Sequence, residues 1–357
     1  MKHNKCILFF IFFLSSNILS AHNVVHLSKT RINQKEYLIE FSSDIAIGDN
    51  FYAISDSEAG NIKLIDIFGN ITGTIGRRGP GPGEFVSPFR IAYLNNTLYV
   101  YDFSDFKLSI FSKKPHNIFE FVSSKTVMAA YNFSVIDKDN ILVAGYKNAK
   151  NGSYELYSIN PANEKVECWL PAYKKYGLSS ESELHIQSPD LAKIGPFSFA
   201  YLTDDEIYYI WEGKLSIVKI DRKSKEISNI DLISKSYSAP ILTKRWREFF
   251  AQRGMGHIVE EEKQKYSFIT GLIGKDNWIG IIIKNYNKEK EAWWPTLLIY
   301  NINANEIEEF PFRDVLYFPG AQLPYDYSQS TNEIVFLSSV LNDDNIDYCI
   351  HKYRIEK

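Results

Sequence analysis

The sequence predicts an all-β fold, a six-bladed β-propeller of four-stranded antiparallel blades, and three observations carry that reading. Two separate peptides recur at nearly one offset: Pro88-Phe-Arg-Ile-Ala-Tyr-Leu94 is answered by Pro196-Phe-Ser-Phe-Ala-Tyr-Leu202, and Lys107-Leu-Ser-Ile110 by Lys214-Leu-Ser-Ile217. A strand-like cluster, Asn140-Ile-Leu-Val-Ala144, falls between the copies, so the offset spans two repeats. A second strand is recognisable six times, at Phe51 to Ile54, Thr97 to Val100, Ile141 to Ala144, Ile207 to Ile210, Trp278 to Ile281 and Ile334 to Leu337. These centres lie roughly 45 to 70 residues apart, the length of propeller blades with insertions. Finally, Ile75-Gly-Arg-Arg-Gly-Pro-Gly-Pro-Gly-Glu-Phe85 cannot be a helix interior and sits between two strand-like runs, so it marks a boundary between blades.

Taken in order, residues 1–21 read as a secretory signal: Lys2 and Lys5, the apolar run Ile7 to Leu14, and a small-residue exit at Ser20-Ala21 with cleavage after Ala21. That run is far shorter than the ~20 residues a bilayer span needs, and no later run is long enough, so no transmembrane segment is expected after signal removal. Cys6 precedes the apolar run, which argues against lipid anchoring. The expected product is an exported protein, periplasmic or extracellular, whose residues 22–357 form one propeller domain. Among its 357 residues 45% are hydrophobic, enough for a large core, and 40 basic against 43 acidic residues leave no nucleic-acid footprint. Beyond the leader only Cys168 and Cys349 remain, too few for a disulfide framework.

Blade two can be written out whole, as Arg90 to Tyr93, Leu98 to Tyr101, Lys107 to Phe111 and Ile118 to Val122. The last blade shows only three strands, ending at Tyr348 to Arg354, so Glu36 to Phe41 near the mature N-terminus is expected to supply its missing outer strand. Ile159-Asn-Pro-Ala-Asn-Glu164 and Ile302-Asn-Ala-Asn-Glu306 read as equivalent hairpin turns. Residues 240–265 break the pattern: Leu242, Trp246, Phe249 and Phe250 fall at helical spacing before Gly254, predicting a helical insertion between blades four and five.

Gly76 to Phe85, then Pro88, Leu98-Tyr-Val-Tyr-Asp102 and Lys107 to Phe111, resembles the NHL repeat, and the whole layout is similar to six-bladed propellers common among exported bacterial proteins. Blades three to six depart from that signature, and in blade four Glu212-Gly213 replaces the aspartate context. The resemblance implies the fold, and it implies ligand-binding modules, interaction platforms or a few metal-dependent lyases and lactonases as the functional range.

The glycine loop is not a P-loop, which requires Lys-Ser/Thr and a following helix. Its glycines supply backbone angles, with Glu84 and Phe85 pinning the crossover, while Arg77 and Arg78 are not needed by the turn and are candidate anion contacts. Asp56 and Asp102 recur by architecture and read as turn formers that accept backbone N–H groups. Innermost strands are expected at Asp44 to Gly48, Phe89 to Tyr93, Asn132 to Ile136, Phe197 to Tyr201, Ser267 to Leu272 and Tyr325 to Gln329. Only Asp44 and Asp326 offer carboxylates there, against the about six to eight oxygen ligands a calcium ion takes. The histidines are scattered without zinc spacing, and no nucleophile elbow exists. Trp293-Trp294-Pro295 reads as packing before it reads as a sugar-binding edge. No catalytic residue, metal or cofactor is therefore assigned. The sequence points to a monomeric, non-catalytic propeller that binds a protein partner or small ligand where its channel opens, through Arg77, Arg78, Arg90, Asn132, Ser198, Tyr325 and Asp326. The alternative is a metal-dependent lyase or lactonase using the channel.

Overall fold

A computed structural model describes residues 22–34, 39, 41–128, 130–175, 179–180, 197–241, 261, 263–317, 323–342 and 345–356. The described residues form six sheets of four antiparallel strands, and β1 (Asn23–Arg31) joins the last of them. Blade one is β2 (Ser42–Ile47), β3 (Phe51–Asp56), β4 (Asn61–Asp66) and β5 (Ile71–Ile75); blade two is β6 (Pro88–Leu94), β7 (Thr97–Asp102), β8 (Lys107–Lys114) and β9 (Ile118–Thr126). Blade three is β10 (Ala130–Asp137), β11 (Asn140–Ala149), β12 (Gly152–Ile159) and β13 (Val166–Pro171), followed by a short helix α1 (Ala172–Lys175). Blade four is β14 (Ser198–Leu202), β15 (Glu206–Trp211), β16 (Ser216–Asp221) and β17 (Ile227–Asp231). Blade five is β18 (Phe268–Lys275), β19 (Trp278–Asn287), β20 (Ala292–Asn301) and β21 (Glu306–Pro311). Blade six is β22 (Tyr325–Ser328), β23 (Glu333–Asn342), β24 (Asn345–Glu356) and, outermost, β1. The helix expected over 240–265 lies almost wholly outside the described residues.

The N-terminus closes the ring, but with a different segment from the one the sequence pointed to. Strand β1 pairs with β24 from Asn23↔Glu356 to Arg31↔Cys349, so residues 23–31 supply the outer strand. Glu36 to Phe41 instead falls in the connection into blade one: the Phe41 amide donates to Asp56 Oδ1 at 3.1 Å and Ile39 is buried between blades six and one. Ile39 fills that seam, whereas Phe41 is exposed. Residues 36–38 and 40 themselves lie outside the described set.

Side-chain alternation explains why the blades need one another. Along β7, Leu98 and Val100 join the core shared with blade one, whereas Tyr99 and Tyr101 join the core shared with blade three. The same alternation gives one apolar cluster at each of the six interfaces. Each sheet is thus apolar on both faces and is buried only by its two neighbours. The turns between third and fourth strands also repeat. Asp66, Asn160, Asp221 and Asn301 each accept a backbone N–H from two residues further on, at 2.8 to 3.1 Å. Cys168 and Cys349 are free thiols in blades three and six.

Candidate binding site at the channel mouth

All six inner strands, β2, β6, β10, β14, β18 and β22, line the axis and begin on one face of the ring, the mouth face. An inner strand is a sheet edge, so its outward N–H groups have no ladder partner. Two are satisfied by carboxylates of the preceding blade. Asp44 Oδ2 accepts the Ile91 N–H at 3.0 Å, and Asp326 Oδ2 accepts the Ile47 N–H at 2.7 Å across the seam where the ring closes. Arg90 Nη1 stands 3.5 Å from Asp44 Oδ1, with both side chains at least nine-tenths buried. Between blades three and four the latch is a hydroxyl, Ser134 Oγ donating to the Ala200 carbonyl at 3.1 Å.

Burial sets the electrostatics of this group. Loss of water pushes the Asp44 carboxyl up to about 6, against the pull of Arg90 and the Ile91 and Ile45 amides. Among the described residues no cation offsets the burial of Asp326; burial, with a smaller contribution from the Asp44 charge, pushes it up to about 7 although the Ile47 and Tyr327 amides hold it down. Tyr325 is pushed upward, first by burial. Its ring occupies the space over Gly271, where a Cβ would come within 2.3 Å of Cζ.

At the mouth itself the rings of Phe89, from blade two, and Phe197, which leads into blade four, stack at 6.1 Å with planes 24° apart. They reach past blade three, with Phe103 a further 5.4 Å from Phe89 and the Arg90 guanidinium carbon 5.1 Å from the Phe89 centroid. An aromatic bridge therefore spans the opening, next to the buried Arg90 and Asp44 pair.

Of the residues singled out from sequence, the structure brings Arg90, Tyr325 and Asp326 into one group with Asp44. Ser198 begins β14, fully buried, and its Oγ has no hydrogen-bond partner among the described residues; Asn132 is half-buried on β10. Arg77 is engaged within its loop and Arg78 with the β3–β4 turn of blade one. Arg77 Nη2 lies 2.7 Å from Glu84 Oε1 on an exposed side chain, and Arg78 donates to the Glu58 carbonyl. Glu84 Oε2 also accepts the Gly81 N–H at 3.0 Å, Lys107 Nζ donates to the Glu84 carbonyl at 3.0 Å, and Phe85 is fully buried between blades one and two.

One buried polar centre escaped the sequence reading. Glu212, just past β15, is 7% exposed, and burial raises its carboxyl against Lys284, Lys263, the Phe197 amide and Lys175. The hydroxyls of Tyr237 and the fully buried Tyr317, both within its electrostatic reach, have no hydrogen-bond partner among the described residues. The Lys284 ammonium sits 5.1 Å over the Trp293 ring, and Lys175 is held by Glu155 at 3.1 Å with both side chains buried. The signal was the Glu212-Gly213 departure from the aspartate found in blades one and two. Trp293 is buried packing, 1% exposed. Among the described residues no three His, Cys, Asp or Glu side chains lie close enough to hold a metal ion, and no helix is long and apolar enough to cross a membrane.

No family model matches the chain, and no curated protein matches it in sequence. Among solved structures it is similar to a Bacteroides fragilis protein described as a candidate for export, with a TM-score of 0.58 and 15% identity over 94% of this chain and 96% of that one. A member of the DUF4221 family from Bacteroides vulgatus aligns with a TM-score of 0.56 and 11% identity over 94% and 99% of the two chains. At these identities the likeness is one of fold.

Proposed function

We propose that this chain is an exported, monomeric six-bladed propeller, NHL-like in its first two blades, that binds a protein partner or a small ligand on its mouth face without chemistry of its own. The observation that carries the reading is the Phe89 and Phe197 bridge across the opening, beside the buried Arg90 and Asp44 pair. Stacked rings offer a flat apolar platform, and a charge pair at its edge gives a ligand orientation as well as contact area. Half-buried Tyr325, Asp326 and Asn132 line the approach, and Arg77 and Arg78 stand as outlying cationic contacts. Export accords with the leader-like residues 1–21 and with the Bacteroides fragilis neighbour.

The test uses mature protein, residues 22–357, as bait against fractionated envelope extracts and a panel of peptides and metabolites. A binder is expected that is lost by at least tenfold in Phe89→Ala and in Arg90→Ala, each checked for folding by circular dichroism. A panel without a binder, or a binder indifferent to both substitutions, would overturn the mouth-face reading.

A further inference from the structure

A cavity lies on the face of the ring opposite the mouth, where the inner strands end. It occupies about 250 Å³ in the cleft between blades three and four. Its floor is apolar, from Ile136, Leu142 and Leu202, and one wall is Trp169 on β13. That indole is fixed in place: its N–H donates to Ser158 Oγ at 3.1 Å, and the Lys225 ammonium sits 3.2 Å from the ring centroid while pairing with Glu167. Lys225 covers one face of the ring, and the indole also packs against the apolar cluster between blades three and four while lining the cavity.

The rim alternates acceptors and donors. Asp137 gives one carboxylate oxygen to the Asp139 amide, leaving the other open. The Asn140 amide and the Lys165 ammonium have no partner among the described residues, whereas Arg222 is tied to the Thr203 and Asp204 carbonyls. Three carboxylates around the cavity disfavour an anionic ligand, and Lys165 and Arg222 disfavour a simple cation. An apolar floor, an aromatic wall and a belt of planar polar groups fit a ring that is apolar on its faces and hydroxylated around its edge. The volume lies just below that of pockets for drug-sized molecules and suits a single such ring.

We propose that this cleft is a subsite for one ring of a neutral saccharide. Trp169 stacks on the sugar face, and Asn140, Asp137 and Lys165 take its hydroxyls. The site is independent of the mouth face.

The experiment titrates mature protein with glucose, galactose, mannose, xylose, N-acetylglucosamine, maltose and lactose, read by calorimetry and by saturation-transfer NMR. At least one should bind saturably, and Trp169→Ala and Asn140→Ala should each weaken it about tenfold, the scale of one lost stacking contact or a lost pair of hydrogen bonds. Asn140 is the first residue of β11, directly after the turn at 138–139, and its side-chain amide holds nothing among the described residues, so its variant keeps the fold if Trp169→Ala does not. Arg90→Ala should leave sugar binding unchanged, which separates this site from the mouth. Absence of saturable binding by every sugar, or binding that survives Asn140→Ala undiminished, would overturn the proposal.

Discussion

At Asp102 a single buried side chain accepts four backbone N–H groups: Val86 at 2.6 Å and Ser87 at 3.1 Å in the chain arriving at blade two, and Ser104 at 3.0 Å and Asp105 at 3.3 Å in the turn leaving β7. Asp56 repeats the arrangement with Phe41 and Ala59. Both were legible as turn formers because Asp at a strand end has that habit; their second grip, on the connection arriving at the blade, was not, since it depends on which strand lies alongside. Glu212 makes the same hold on the Phe197 amide from one residue further along, with a longer side chain. Gly271 is a residue whose need is wholly tertiary. It stands in a register shift of β18, and an added methyl would meet the Tyr325 ring from the neighbouring blade. Gly271→Ala should therefore destabilise the protein by about 1 to 3 kcal/mol, read from urea unfolding, with Tyr325→Ala in the same chain recovering part of the loss.

Among the elements, the loop of residues 76–85 is a clasp between blades one and two. Gly76 adopts φ +72°, and a Cβ there would lie 2.4 Å from the Phe85 ring, so glycine is required both by the backbone and by the close approach. Lys107 from blade two donates into the clasp from outside, which ties it to the blade it introduces. Strand β1 shows how a correct demand can be met by a different segment. A last blade with three strands needs a fourth from the N-terminus, but both 23–31 and 36–41 carry strand-like residues, and only the distance to β24 and the position of Asp56 decide between them. Deleting residues 22–31 should leave β24 as an open edge, lower the thermal midpoint by several degrees and promote aggregation; an unchanged melt would show that β1 does not close the ring.

For the molecule as a whole, ring closure makes stability depend on groups that face the axis. Asp326, raised to about 7 when folded, binds its proton more tightly there than in the unfolded chain, so its contribution favours folding below the unfolded carboxyl range and is lost as pH rises through 7. Away from the axis, His351 on β24 runs the opposite way: burial lowers it to about 4, so its neutral form favours folding above its unfolded range and that support is lost as pH falls toward 4. Asp326→Asn isolates the first effect. It loses one acceptor at every pH, but its stability relative to wild type should improve steadily from pH 4 to pH 8 in chemical denaturation. A difference that stays constant over that range would mean that the Asp326 carboxyl titrates as it does in water.

Residue order alone specified the blade count, the four-stranded unit, the inner and second strands and the clasp between blades one and two. These rest on local chemistry: period-two alternation, turn residues and repetition. Arg90, Tyr325 and Asp326 were also legible, as polar residues at the starts of inner strands. The folded ring was needed to see that Asp44 and Asp326 latch one blade to the next, that Phe89 and Phe197 meet across the mouth, that Glu212 is buried among lysines and tyrosines, and which N-terminal segment closes the ring. Each of these joins residues from different blades, and their distance is set by the curvature of the closed ring, a quantity no single blade's sequence contains.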